Sequence, residues 1–161
     1  LGDVYKRQAF YKAQEATQTK LPLEGTVLIS VSNRDKPEVV EVAADFAKAG
    51  FKIIASDHTC SLLKENGIEA EKINKLQEGR PNMLDVITNG KVDMIVNTPS
   101  GKESKNDDSY LRKAAIKKKV PYMTTMAAAK AAANGILAVK KHGSKEVKSL
   151  QEIHGEITDK E

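Results

Sequence analysis

Short apolar runs alternate along the chain with segments whose apolar residues recur every three or four positions. The β-branched and apolar runs predict five strands, at 26–31, 51–55, 68–73, 92–98 and 122–124. The amphipathic segments predict helices between and after them, at 36–49, 59–66, 81–89, 108–119 and 125–139. Strands that alternate with helices in this way indicate parallel pairing through right-handed crossovers. The sequence therefore predicts an α/β domain with a doubly wound five-stranded parallel sheet and helices on both faces.

Residues that favour helix ends support these boundaries. Asp35, followed by Pro37 and by Glu38 at the third position, predicts a helix start with a capping box. Gly50 follows the same helix, where a glycine ends a helix at little conformational cost. Thr125 is expected to cap the alanine-rich last helix.

The two ends of the chain do not follow the alternating pattern. Residues 1–8 have no clear period, and we expect them to be a leader that is foreign to the natural protein. Residues 9–24 predict a linker from an upstream domain, with a short polar helix at 9–20. The domain itself is expected at 25–140, followed by a C-terminal tail at 141–161.

Composition excludes several classes of protein. The 161 residues carry a net charge of +4 and suit one domain. The single Cys60 excludes an internal disulfide and favours a reducing, cytoplasmic location. No apolar run is long enough to span a membrane, and an aromatic content of 4% offers little surface for stacking nucleic-acid bases. We therefore expect neither a membrane nor a nucleic acid as partner.

The loops that follow the predicted strands carry the candidate chemistry. Ligands of open parallel sheets bind at the carboxyl ends of the strands, and these loops offer hydroxyl groups, amides and lysines. That composition suits a phosphate held at helix N-termini. The structural alternatives are that Ser56 and Thr59 act only as helix caps and that Lys36 and Lys75 are surface lysines.

An enzyme is not favoured by these residues. No loop offers a nucleophile with a base beside it, and Asp107 and Asp108 are explained as acidic residues at a helix start. His58 lies in a candidate ligand loop, but His142 and His154 lie in or near the tail. We predict no catalytic residue and no metal site.

The motifs resemble one family of domains closely. SVSNRDKPEVV at 30–40, NK..EGRP at 74–81, NT.SG at 97–101 and PY.TT at 121–125 together resemble the C-terminal regulatory domains of carbamoyl phosphate synthetase large subunits. FYKAQ at 10–14 is similar to the exit from the ATP-grasp region that precedes those domains. They are methylglyoxal-synthase-like domains, and this resemblance implies the same doubly wound fold.

The resemblance implies an allosteric module that performs no chemistry of its own. Such domains bind uridine monophosphate as inhibitor and inosine monophosphate as activator, and ornithine where they meet a neighbouring domain. The residues matched to the nucleotide site are Lys36, Ser56, Thr59, Lys75, Asn97 and Thr98. Those matched to the ornithine site are Tyr122 and Thr124.

The sequence departs from the family pattern in two loops. Relatives have Thr-x-Gly-Thr after the second strand, whereas this chain has Asp57 and His58 between Ser56 and Thr59. Pro99 stands where some relatives have a second threonine. A side chain in place of glycine, a nearby negative charge and a lost hydroxyl are each expected to disfavour phosphate binding.

The resemblance also implies the wider context. The parent protein would be a glutamine-dependent ligase of pyrimidine and arginine biosynthesis that uses ATP with Mg or Mn, and this domain itself would need no cofactor. Its partners would be the rest of the large subunit and the glutaminase small subunit, and self-association is left open. The alternatives are a methylglyoxal-synthase-type lyase that eliminates phosphate, the cyclohydrolase domain of inosine monophosphate synthesis, and an interaction domain of the same fold without a ligand.

Overall fold

The computed structural model describes residues 2–16, 20–98 and 102–143. Its strands are β1 (Thr26–Ser30), β2 (Lys52–Ser56), β3 (Glu71–Ile73), β4 (Met94–Asn97) and β5 (Tyr122–Met123). Its helices are α1 (Gly2–Glu15), α2 (Lys36–Lys48), α3 (Asp57–Glu65), α4 (Met83–Thr88), α5 (Lys102–Lys118) and α6 (Met126–His142). Most of the predicted tail, from residue 144 onward, lies outside the described residues.

The five strands form one parallel sheet in the order β3-β2-β1-β4-β5. The chain moves from β1 outward to β3, then crosses back to place β4 on the other side of β1. The predicted fold class is confirmed. The point at which strand order reverses lies between β1 and β4, and open sheets of this kind bind ligands at that point.

The sheet separates two apolar layers. Alternate strand residues face opposite sides, so that Val27 and Ile29 pack with α2, α3 and α6 while Leu28 and Ile95 pack with α4 and α5. Phe46, from the predicted apolar stripe of α2, is fully buried in the first layer. Because both faces are covered, the interiors of the central strands β1, β2 and β4 are apolar, as is typical of parallel strands.

Two helices begin earlier than their apolar pattern indicates. The segment 2–8 is the first half of α1, and α5 begins at Lys102 rather than at the predicted Asp108. These added turns are polar and carry no apolar stripe that periodicity could detect. Asp107 and Asp108 therefore lie within α5, and the prediction that they mark a helix start was wrong.

Helix α1 packs closely against α6. Tyr11 and Gln8 are buried there, and a Cβ atom added to Gly135 would come within 3.4 Å of the Arg7 carbonyl oxygen. A glycine at this position lets the two helix backbones approach. In the described part of the chain, no helix combines the length and the apolar character that crossing a membrane requires.

Candidate functional site

The carboxyl ends of the strands bring the candidate residues to one edge of the sheet. Ser30, the last residue of β1, pairs in register with Asn97, the last residue of β4. On the other side of β1, Ile29 pairs with Ala55, so the next residue, Ser56, lies beside Ser30. A row of polar residues thus follows the buried strands across the point at which strand order reverses.

A pocket of about 280 Å³ opens at this edge, on the face covered by α4 and α5. The ends of β1 and β4, the turn after β3 and one side of α5 form its walls. Its polar lining includes Ser30, Ser32, Lys75, Asn97, Thr98 and Asp108. Met83 from α4 and Leu111 from α5 give it an apolar side. Apolar walls with a few convergent polar groups are typical of sites for small ligands.

Three of the six residues predicted for the nucleotide site line this pocket: Lys75, Asn97 and Thr98. The other three lie outside its lining but at the same edge of the sheet. Lys36 is the first residue of α2, and Ser56 and Thr59 are buried at the start of α3, with their hydroxyl oxygens 3.1 Å apart. All six therefore lie at the carboxyl edge, but the pocket itself brings together only half of them.

The two residues predicted for the ornithine site lie on β5 and just after it. Tyr122 is half-buried, and its hydroxyl points into a polar cluster behind the pocket. Thr124 is exposed. Neither of them lines the pocket.

Helices α2 and α3 begin at this edge without side-chain caps. Asp35 precedes α2 and Ser56 precedes α3, yet neither side chain accepts a hydrogen bond from the first turn. By contrast, Asn82 caps α4, and Thr125 caps α6 as predicted. The predicted capping box at Asp35 was wrong, because that carboxylate accepts a hydrogen bond from Ser32 instead. Neither first turn is thus closed by a side chain, and uncapped N–H groups at a helix start are donors of the kind that bind anions, although Pro37 contributes none to α2.

Asp35 instead joins the loop after β1 to the end of β4. Ser32 donates its hydroxyl to Asp35 Oδ2 at 2.7 Å, and the Ser32 N–H donates to Thr98 Oγ1 at 2.9 Å. Hydrogen bonds from Thr98 and then from Ser32, with a smaller contribution from Arg34, lower the pKa of Asp35 below its ordinary value, against the opposing effect of burial. These bonds hold Ser32 and Thr98 in place along the pocket wall.

A second cluster joins α5 to β4 and β5. Asp108 Oδ1 accepts hydrogen bonds from the Tyr122 hydroxyl at 2.6 Å and from Asn97 Nδ2 at 3.0 Å. Asn97 Nδ2 also donates to the Tyr122 oxygen at 2.8 Å, and Arg112 donates to Asp108 Oδ2 at 2.9 Å. Burial, followed by the bond to Asp108, raises the pKa of Tyr122, so the phenol keeps its proton.

The loop that departs from the family pattern does not obstruct the pocket. His58 is exposed on α3 and is not among the residues that line the pocket. Asp57 forms an ion pair with Lys72 from β3, with 2.7 Å between Nζ and Oδ1. The hydrogen bond from Lys72 lowers the pKa of Asp57, in opposition to a smaller effect of burial. The negative charge that Asp57 brings to this loop therefore has a cationic partner.

Sequence reasoning missed several residues of the site. Ser30 and Ser32 flank the end of β1, and their position at a strand end was a usable signal. The Asp108–Arg112 pair has the i, i+4 spacing of an ion pair along a helix, and the predicted helix at 108–119 already contained this signal. Among the described residues, no three His, Cys, Asp or Glu side chains are grouped so as to hold a metal ion.

Comparison with known proteins identifies similar sequences over nearly all of the chain. The family model described as "MGS-like domain" matches residues 38–124. The chain is 48% identical over 155 residues to the carbamoyl phosphate synthase large chain, C-terminal section, of Methanopyrus kandleri, covering 95% of this chain and 28% of that protein. It is 49% identical over 149 residues to the carbamoyl phosphate synthase large chain of Archaeoglobus fulgidus, covering 92% and 14%. The chain thus spans between about a seventh and about a quarter of the length of these relatives.

Comparison with solved structures agrees on the fold. A methylglyoxal synthase from Elizabethkingia anophelis superposes with a TM-score of 0.56 at 15% identity, covering 80% of this chain and 89% of that one. At this level of identity the similarity concerns the fold alone.

Proposed function

The chain belongs to the MGS-like domain family, as its motifs predicted, and on this premise we propose that it is the allosteric regulatory domain of a carbamoyl phosphate synthase large chain. In this proposal it binds nucleoside monophosphates at the carboxyl edge of the sheet and performs no chemistry itself. The similarity to carbamoyl phosphate synthase large chains over more than nine-tenths of this chain supports the proposal. Because the chain spans only part of those proteins, the catalytic activity would belong to other regions of the parent.

The observation that carries the proposal is the pocket between β1 and β4. Lys75, Asn97 and Thr98 come from two separate loops, and the sheet brings them together where strand order reverses. A lysine, an amide and hydroxyl groups beside an apolar wall suit a ligand that has a phosphate, a sugar and a base.

The charges of the edge indicate how a nucleotide would lie. Asp107 and Asp108 give the α5 side of the pocket an acidic character that disfavours a phosphate there. The uncapped first turns of α2 and α3, with Lys36 and Lys75 nearby in the fold, offer donors and positive charge on the other side. We place the phosphate toward α2 and α3 and the sugar and base toward α5.

Within that arrangement, the remaining matched residues would have separate roles. Ser56 and Thr59 would donate hydrogen bonds from their hydroxyl groups to the phosphate, in place of the hydrogen bond that now joins the two hydroxyls. Lys72 would keep Asp57 from repelling the phosphate. Tyr122 and Thr124 would contact ornithine together with a neighbouring domain of the parent.

Regulation would require that the nucleotide bind two states of the parent enzyme with different affinity. Allosteric coupling of this kind typically amounts to about 1 to 3 kcal/mol. The parent would be an ATP-dependent, glutamine-hydrolysing ligase with Mg or Mn at its own sites, assembled with a glutaminase small subunit. This domain would contribute effector binding only.

Isothermal titration calorimetry on the 161-residue chain tests the proposal. Uridine monophosphate and inosine monophosphate are expected to bind at one site and to compete with each other. Uridine, which lacks the phosphate, should bind much more weakly, because the lysines and helix N-termini then have no anion to contact. The absence of heat with either nucleotide at millimolar concentration would contradict the proposed function.

A further inference from the structure

The cluster that joins α5 to β4 and β5 forms part of the pocket wall and fixes which atoms Asn97 can offer to a ligand. A carboxylate that is paired with a guanidinium accepts hydrogen bonds and donates none, so the Asn97 group that contacts Asp108 must be the NH₂. The Tyr122 hydroxyl gives its one proton to Asp108 and therefore accepts from Asn97. The NH₂ of Asn97 is thus turned toward Asp108 and Tyr122, which lie side by side.

The remaining capacity of Asn97 is that of an acceptor. Its side-chain carbonyl oxygen is the one part of the amide left to contact a ligand, and the residue lines the pocket. Among the described residues, no side-chain or backbone donor forms a hydrogen bond with that oxygen. A ligand group that meets Asn97 must therefore carry a proton, as a sugar hydroxyl or a base N–H does.

We infer that Asp108 is a positioning residue that holds the Asn97 amide with its NH₂ away from the ligand, so that Asn97 selects for a hydrogen-bond donor on the bound molecule. Asp108 is 8% exposed and Arg112 anchors its second oxygen, so the carboxylate has little freedom to turn. The Arg112 guanidinium also lies 5.5 Å from the centre of the Tyr122 ring, which holds the third member of the cluster. This inference rests on the proposed function for the identity of the ligand, but the orientation of Asn97 is independent of it.

Calorimetry with matched nucleotides tests the selection for a donor. The ligands are uridine monophosphate, its 2′,3′-dideoxy analogue, which lacks both sugar hydroxyls, and its N3-methyl analogue, which lacks the base N–H. The unaltered chain is expected to bind one of the two analogues about tenfold more weakly than the parent nucleotide, because an acceptor is left without its donor. The weaker analogue identifies whether the sugar or the base meets Asn97. Equal affinity for all three would overturn the inference while leaving the proposed function intact.

The Asp108→Ala variant tests the role of the carboxylate. With Asp108 removed, the Asn97 amide is free to turn and to offer either its oxygen or its NH₂, so discrimination between the analogues should fall below about threefold. Asp45→Asn is the matched control, because Asp45 also pairs with a cation one turn along its helix but lies on α2, away from the pocket. It should discriminate as the unaltered chain does. Full discrimination by Asp108→Ala would overturn the inference.

A measurement without ligand keeps the inference testable if no nucleotide binds or if Asp108→Ala fails to fold. In ¹⁵N-labelled unaltered chain, both side-chain amide protons of Asn97 should exchange slowly with water, because the NH₂ faces two hydrogen-bond acceptors and the residue is 8% exposed. In Tyr122→Phe, which removes one acceptor and keeps the carboxylate, one of the two should exchange faster. Fast exchange of both protons in the unaltered chain would overturn the orientation. A failure of uridine monophosphate to bind would instead contradict the proposed function alone.

Discussion

Replacing Lys75 with alanine should weaken nucleotide binding and leave the fold unchanged. Lys75 lies in the turn after β3, lines the pocket and has an exposed side chain. The structural hydrogen bond of this residue comes from its backbone N–H, which donates to Glu78 Oε2 at 2.9 Å. Alanine keeps that bond, so the substitution removes the ammonium group and little else.

The size of the effect follows from the exposure of the side chain. A hydrogen bond to a charged group contributes about 1.5 to 3 kcal/mol, and solvent screening at an exposed position favours the lower end. We therefore expect a loss of about 1.4 kcal/mol, which is a tenfold increase in Kd for uridine monophosphate. The free energy of unfolding should change by less than about 0.5 kcal/mol, because a surface lysine contributes little packing.

Calorimetry and thermal unfolding measured together decide between a ligand contact and a structural role. Lys64→Ala is the matched control, since Lys64 is an exposed lysine in the last turn of α3, at the end of that helix opposite the site. It should bind uridine monophosphate as the unaltered chain does. An unchanged Kd for Lys75→Ala, or a melting temperature lowered by more than about 4 °C, would refute the reasoning, because 1 kcal/mol corresponds to about 2 to 4 °C at this chain length.

Three further outcomes are expected. Asp35→Asn should lower the free energy of unfolding by about 1 to 2 kcal/mol at pH 7, since the charged acceptor of Ser32 and Thr98 is lost. Because folding lowers the pKa of Asp35, its contribution to stability is complete above the ordinary value of 3.8 and disappears as the pH falls through the lower folded value. The free energies of unfolding of the two proteins, measured in urea, should therefore converge in acid. A difference between them that stays constant with pH would argue against this cause. Phe46→Ala should lower the free energy of unfolding by about 3 to 5 kcal/mol in the same assay, because the ring is fully buried and packs edge-on against Phe51, with 5.7 Å between the ring centroids. A loss below about 1 kcal/mol would contradict this packing. Incubation with dihydroxyacetone phosphate should release no phosphate, as no histidine is among the described residues of the pocket, and steady release would restore the lyase alternative.

The fold was predictable because its signals are local. Apolar runs such as 26–30 identify buried parallel strands without any knowledge of their partners, and the stripe of α2 identifies a helix that covers the sheet. The sequence missed the first turns of α1 and α5, where a helix is polar and depends on what it packs against. It also assigned Asp35 to a cap, because a capping pattern in sequence cannot reveal that the carboxylate instead accepts a hydrogen bond from Ser32.

The candidate site was predictable in its residue types but not in its arrangement. Resemblance supplied Lys75, Asn97 and Thr98, whose roles remain predictions, and the sheet brings these three to one pocket. Asp108 was interpreted only as a helix-start residue and Arg112 was not considered, since their place in the site comes from the contacts with Tyr122 rather than from any motif.

Periodicity and helix-end residues thus determined the class of fold and the identity of the loops that end at the carboxyl edge, because hydrophobic burial acts through spacings of two to four residues along the chain. Only the tertiary structure decided that Ser30 lies beside Asn97, that Ser32 links Asp35 to Thr98 at the end of β4, and that Asp108 and Tyr122 together orient one amide. Those contacts join residues far apart in sequence, and their geometry depends on strand order and register, which no local pattern encodes.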